Sequence, residues 1–256
     1  MNIDYTNICW AITYECDYNC PFCHAFQSNL YSLSFDENMK ILKKLISLGT
    51  KKITWTGGNP LLYNGLYDLV QYAKTNGIKT SIATNGTKLN EEKLKLINNV
   101  TDILIIPLDA IDKYIQDKMG RSNNQFDLVK YILDVISKNT FNYRIRINTL
   151  VSKINISNIL ELANELLKYK IDKWRLYQFA PLRGHAKDNN SEYLIDDQIF
   201  LDLEKSIKTH QINSKVEISF YNINKLQNDN LLIIPNGDVV KTIECKDHIL
   251  RNILIN

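Results

Sequence analysis

The sequence has no run approaching the roughly 18 apolar residues that a membrane-spanning helix needs, so no membrane role is expected. Met1 to Asn7 carries no apolar core of the kind that opens an export signal, which predicts a cytoplasmic setting. Charge of one sign is also missing. Lysine and arginine number 31 against 28 acidic residues in 256, a net charge of +3, so nucleic acid is not an expected partner. With 9 glycines and 5 prolines, collagen-like order is excluded, and with 45% apolar residues so is disorder. Repeats and low-complexity linkers are absent. No Gly-rich phosphate fingerprint follows the first apolar strand, which argues against a dinucleotide-binding fold. A single α/β barrel would fill a chain of this length.

The apolar pattern alternates strand and helix. Strands are expected at Ile8–Tyr14, Lys52–Thr56, Lys79–Thr84, Asp102–Pro107, Tyr143–Val151 and Lys173–Phe179. The intervening helices start after Ser34, span about 62–75, start after Asn90, cover about 125–137 and place Ile156, Ile159, Leu160, Ala163 and Leu166 on one face. Asp102–Pro107 is almost unbroken in its apolarity, as in a parallel strand covered on both faces. Six such units in about 180 residues predict parallel strands with right-handed crossovers, an α/β partial (β/α)6 TIM-like barrel. A helix near Asp196–Thr209 and a hairpin turning at Asn236-Gly237 form a C-terminal extension. The expected division is a core over residues 1–184 and a cap over residues 185–256.

The chemistry is concentrated in cysteine. There are five: Cys9, Cys16, Cys20, Cys23 and Cys245. Without an export signal, clustered thiols point to metal or catalysis before disulfides. Cys16, Cys20 and Cys23 follow a C-x3-C-x2-C spacing on the loop after the first strand. Three thiolates on one loop can hold three corners of a four-iron cube and leave the fourth open to a chelating ligand. The alternative is a non-catalytic zinc module with His24 as fourth ligand, although structural zinc usually takes two separated pairs. The loop stands where barrel active sites lie, at the C-terminal end of a strand.

The run Cys16-Asp-Tyr-Asn-Cys20-Pro-Phe22-Cys23 resembles the signature of the radical S-adenosylmethionine superfamily. The resemblance implies a [4Fe–4S] cluster on Cys16, Cys20 and Cys23, whose open iron chelates S-adenosylmethionine and cleaves it to a 5′-deoxyadenosyl radical. It extends over successive strand ends. Gly57-Gly58-Asn59-Pro60 is similar to the family's Gly-Gly-Glu-Pro turn, which receives the amino group of S-adenosylmethionine. Asn59 stands where glutamate is usual, so its amide oxygen would accept without charge assistance. Thr84 and Asn85, Asp109, Arg121 in Met119-Gly120-Arg121, Asn148, and Tyr177-Gln178-Phe179 match further cofactor-binding positions, with Phe22 beside the last ligand.

The substrate is addressed by strand parity. With Ile53, Trp55, Ile145, Ile147, Trp174 and Leu176 facing helices, Lys52, Arg146, Asn148, Arg175 and Tyr177 face inward. Buried cations call for anionic partners: internal carboxylates, or a phosphate-bearing substrate. The pattern resembles viperin-like enzymes, which make dehydrated nucleoside triphosphates. That resemblance implies substrate contacts at Lys52, Arg146 and Arg175, and a closing tail over Asn230–Lys241. It departs from the family at Asn59, at Cys9 where asparagine is usual, and in carrying two arginines in place of lysines. A peptide-modifying radical enzyme is the alternative, with Cys245 as hydrogen donor, although the second cysteine cluster of many such relatives is absent. Flavodoxin or ferredoxin is the electron donor that the resemblance implies.

Overall fold

A computed structural model describes residues 3–26, 32–121, 124–226 and 231–255. Met1, Asn2 and Asn230, quoted above, lie outside the described residues. The elements run β1 (Asn7–Ala11), α1 (Phe35–Ser47), β2 (Lys52–Thr56), α2 (Leu66–Thr75), β3 (Lys79–Ala83), α3 (Glu91–Ile97), β4 (Ile103–Pro107), α4 (Lys113–Lys118), α5 (Gln125–Lys138) and β5 (Arg144–Val151). There follow α6 (Ile159–Leu166), β6 (Lys173–Gln178), α7 (Gly184–Asp188), α8 (Asn190–Tyr193), α9 (Asp197–Thr209), β7 (Glu217–Tyr221), α10 (Ile223–Leu226), β8 (Leu231–Ile233), β9 (Asp238–Ile243) and β10 (Lys246–Asn252).

All ten strands form one sheet in the order β10-β9-β8-β1-β2-β3-β4-β5-β6-β7. Neighbours from β8 through β7 are parallel, whereas β9 and β10 add an antiparallel hairpin. The sheet is open, since no pairing joins β7 to β10 among the described residues. The six expected strands are all present, and they form a partial barrel. The chain after residue 184 adds a parallel strand at each side, β7 beside β6 and β8 beside β1.

Local chemistry sets the elements. Ser34 caps α1 in a capping box: its hydroxyl accepts from the Glu37 amide, and the Glu37 carboxylate accepts from the Ser34 amide at 2.9 Å. Asn90 and Asp112 cap α3 and α4 with their side-chain oxygens alone, which accept from the Lys93 and Ile115 amides. Behind the sheet the helices bury Ile53, Trp55, Ile147, Trp174 and Leu176, as the strand parity requires. Trp10 and Trp55, register partners on β1 and β2, stack at 4.8 Å and are fully buried in the main core. Replacing Trp55 with Ala is expected to cost about 3–5 kcal/mol, read as a lowered urea midpoint at unchanged slope.

Candidate active site

The loop after β1 is fixed by backbone hydrogen bonds to the turn after β2. The Gly58 amide donates to the Thr13 carbonyl at 2.8 Å, and the Asn59 amide donates to the Glu15 carbonyl at 2.7 Å. A Cβ on Gly58 would lie 2.0 Å from the Glu15 oxygen, and one on Gly57, at φ +149°, would lie 2.5 Å from the Thr13 oxygen. Both glycines therefore exist so that the loop can approach the turn.

None of the three loop thiols is in a disulfide. The Cys20 carbonyl accepts from the Cys23 amide at 3.0 Å in a turn that holds these two ligands together. Burial pushes the Cys20 thiol up to about 11 against the pull of Arg121, and burial also raises Cys16. Among the described residues no three His, Cys, Asp or Glu side chains converge as the ligands of a single ion do. Three thiols in one loop, backed by no fourth protein ligand, suit a cube whose corners spread wider than one ion.

A small apolar shell encloses Cys20. It contains Phe22, Met119 at the end of α4, Phe179 after β6, and Tyr193 of α8. Tyr193 packs edge-on to Phe22 at 5.7 Å and against Phe179 at 5.4 Å, and its hydroxyl donates to the Met119 carbonyl at 3.0 Å. Arg121 lies over the Phe22 ring at 4.8 Å and pairs with the fully buried Asp109 at 2.5 Å. Burial lowers the Arg121 basicity, but Asp109 and the nearby cysteines outweigh it and hold the guanidinium above its ordinary value. Asp109 is otherwise occupied, accepting from the Leu150 amide at 2.8 Å. The Asp109–Arg121 pair thus braces the cysteine loop against β5.

Asn59 is fully buried. Its oxygen accepts from Thr84 Oγ1 at 2.8 Å and the Leu61 amide at 3.3 Å. Its nitrogen donates to Asn85 at 3.0 Å, Thr87 at 3.0 Å and Asp17 at 3.3 Å. Both halves of the amide are spent on scaffolding. Thr84 and Asn85 belong to the same network, and Asn85 Nδ2 also stands 3.8 Å from Cys16 Sγ. Gln178 points to the helix side of β6, where it binds Asp197 at 2.7 Å and accepts from the Ile223 amide at 3.3 Å. Its neighbour Tyr177 shares the inner face with Arg175. Cys245 sits with Glu244 in the two-residue turn joining β9 to β10, both at positive φ. Arg183 donates to Asp247 and Thr242 beside that turn and to the His24 carbonyl at 3.3 Å, so the hairpin is tied to the cysteine loop.

Inside the barrel, Lys52, Arg146 and Arg175 come together as the parity requires. Arg146 is buried, and its Nε has no hydrogen-bond partner among the described residues. The same holds for Asn148 Oδ1, one register step from Arg146 on the inner face. Burial and the neighbouring Arg175 outweigh the pull of Tyr177 and bring Arg146 down to about 10. Burial, then Arg146, Arg175, Lys79 and Lys173, hold Lys52 below its ordinary value. No carboxylate pairs with Lys52 or Arg146 among the described residues, whereas Lys173 and Arg144 are matched by Glu217. Cys9 faces the same space, its thiol pushed up to about 11 by burial despite Arg146, Arg183 and Lys52.

The Radical SAM superfamily matches residues 10–170. The chain belongs to the radical S-adenosylmethionine superfamily. Enzymes of this superfamily use a [4Fe–4S] cluster and S-adenosylmethionine, and the cysteine loop offers the ligands that such a cluster requires. The chain is 32% identical over 216 residues to the S-adenosylmethionine-dependent nucleotide dehydratase of Lacinutrix mariniflava, covering 79% of this chain and 45% of that protein. It is 30% identical to the GTP 3′,8-cyclase of Clostridium perfringens, covering 75% of this chain and 61% of that one. The chain thus spans about half to three-fifths of these relatives. The structure of SuiB from Streptococcus suis bound to S-adenosylmethionine superposes with a TM-score of 0.73 at 19% identity, covering 91% of this chain and 59% of that one. This last likeness is one of fold.

Two outcomes follow for this radical SAM site. Alanine at Cys16, Cys20 or Cys23 is expected to abolish reductive release of 5′-deoxyadenosine, measured by chromatography after anaerobic reconstitution. Gly58→Ala is expected to leave the barrel folded by circular dichroism yet lower iron and sulfide content at least severalfold, because the Glu15 carbonyl has nowhere to move.

Proposed function

We propose that this protein is a nucleotide dehydratase that binds a nucleoside triphosphate inside the barrel, with the triphosphate on Lys52, Arg146 and Arg175. The observation that carries this reading is a cation group without a carboxylate on Lys52 or Arg146 among the described residues: Arg146 is buried with an orphaned Nε, and burial, then its cationic neighbours, holds Lys52 below its ordinary value. An unpaired buried charge is costly, and a polyanion would relieve Arg146 while Lys52 and Arg175 beside it add to the attraction. Arginine supplies forked donors suited to phosphate oxygens. Lys52, Lys79, Arg144 and Lys173 line the N-terminal mouth of the barrel, while the cysteine loop closes the opposite end. A five-residue strand separates the two by about 13 Å, so phosphates held low would present the sugar toward the loop.

When bound, the cluster and S-adenosylmethionine would supply a 5′-deoxyadenosyl radical that takes a hydrogen atom from the substrate; the substrate radical would then expel hydroxide, which leaves as water with a proton, and one electron from the flavodoxin or ferredoxin would complete a closed-shell product lighter by one water. The protein's part is to hold the triphosphate, to orient the sugar with Asn148 and Tyr177, and to keep water away with the Phe22–Phe179–Tyr193 shell. Two relatives named for nucleotide chemistry support this class. In this reading residues 1–184 hold both cofactors, residues 185–256 shield them, and flavodoxin or ferredoxin supplies electrons in the cytoplasm, where free thiols persist. No helix is long and apolar enough to cross a membrane among the described residues.

Incubation with CTP, GTP and UTP is expected to accelerate 5′-deoxyadenosine release with at least one of them and to yield a nucleotide lighter by one water. Absence of acceleration by all three would remove the reading. Arg146→Ala should raise the nucleotide concentration needed for half-maximal acceleration by at least about tenfold, the cost of losing a charge-assisted contact.

A further inference from the structure

The turn Gly57-Gly58-Asn59 lacks the acid expected there, and Asn59 has no acceptor left to offer. A carboxylate nevertheless stands at that place. Asp17, directly after Cys16 in the cysteine loop, projects onto the Asn59 network. Its Oδ1 accepts from Asn85 Nδ2 at 2.7 Å and Asn59 Nδ2 at 3.3 Å, and its Oδ2 accepts from Thr87 Oγ1. Asp17 is exposed whereas Asn59 is fully buried. No lysine or arginine pairs with Asp17 among the described residues. Three side chains and the residue's own backbone amide donate to the carboxylate, all of them neutral, and Oδ2 takes only the Thr87 hydroxyl among the side chains.

We propose that Asp17 is the residue that receives the amino group of S-adenosylmethionine in this chain, in place of an acid at position 59. The proposal rests on the cofactor assignment made above and adds a residue to it. Neutral donors fix the carboxylate without neutralising it, so its charge is kept for the incoming N–H groups. Asn85 touches both Asp17 Oδ1 and Cys16 Sγ, which sets the carboxylate and the first cluster ligand as near neighbours. Asn59 supplies the amide that a carboxylate at 17 needs, so positions 17 and 59 form one amide–carboxylate pair in which the acid has moved from turn to loop.

The test measures equilibrium binding of S-adenosylmethionine to the anaerobic, cluster-loaded protein by dialysis, without nucleotide. A second ligand is the analogue with hydrogen in place of the amino group. Asp17→Asn is expected to weaken S-adenosylmethionine about ten- to hundredfold, the worth of one charge-assisted hydrogen bond. The analogue should bind Asp17→Asn and the wild type alike. Equal losses for both ligands, or no loss for either, would overturn the proposal. If Asp17→Asn does not retain iron and sulfide, the double variant D17N/N59E decides. It restores the pair with the acid on the turn, and should regain the cluster and the preference for the amino-bearing ligand. Failure of the double variant to regain either would overturn the proposal. Failure of the wild type to bind S-adenosylmethionine would instead strike the cofactor assignment, and the nucleotide reading is not engaged by this measurement.

Discussion

Two backbone hydrogen bonds carry the site: Gly58 to Thr13 and Asn59 to Glu15. They continue the β1–β2 ladder past the ends of both strands, so the cysteine loop starts as an extension of the sheet. Position and direction of the three thiols, of Asp17 and of Phe22 all follow from that start. The loop needs this external fixing because it contains no regular structure of its own between β1 and α1 among the described residues. A loop so placed is ordered before any cofactor arrives, which lowers the entropy that binding must oppose.

The barrel separates its chemistry along the strand axis. The C-terminal end carries thiols, an apolar shell, amides and acids either paired with arginine or held by neutral donors, whereas the N-terminal end carries mainly lysines and arginines. Between them the inner face has few acids, since the matched carboxylate Glu217 lies at the far mouth on the last parallel strand. Burial first, and then the nearness of the other cations, holds Lys52 and Arg146 below their ordinary values. An anion that enters is therefore drawn by charges already fixed in place, with little reorganisation.

Much of this was legible in the residues. Alternation of apolar runs with helical faces gives the six central strands, and strand parity places Lys52, Arg146 and Arg175 on one inner surface. The same parity puts Gln178 on the opposite face from Tyr177, so adjacent residues of a motif cannot both face one ligand. The hairpin at Asn236-Gly237 is legible too and joins β8 to β9, whereas the pairing of β8 with β1, more than two hundred residues away in sequence, is not. The short α4 carries no sustained apolar stripe. Tyr193 and Asp17 were missed for another reason: their roles come from what they touch across the fold. An acid beside the first cysteine, in a chain whose turn lacks one, was the only signal for Asp17 in the sequence.

The position of β1 has a consequence for biosynthesis. Of the ten strands described it is made first, yet in the finished sheet it lies between β2 and β8. Translation proceeds from the N-terminus, so β1 can pair with β2 early, while its other side waits for residues 231–233. Throughout that interval the strand that leads into the cysteines keeps one row of amides and carbonyls bare, a template for wrong partners. A nascent chain stalled before residues 231–233 would thus be sticky at the very place where iron is to be delivered.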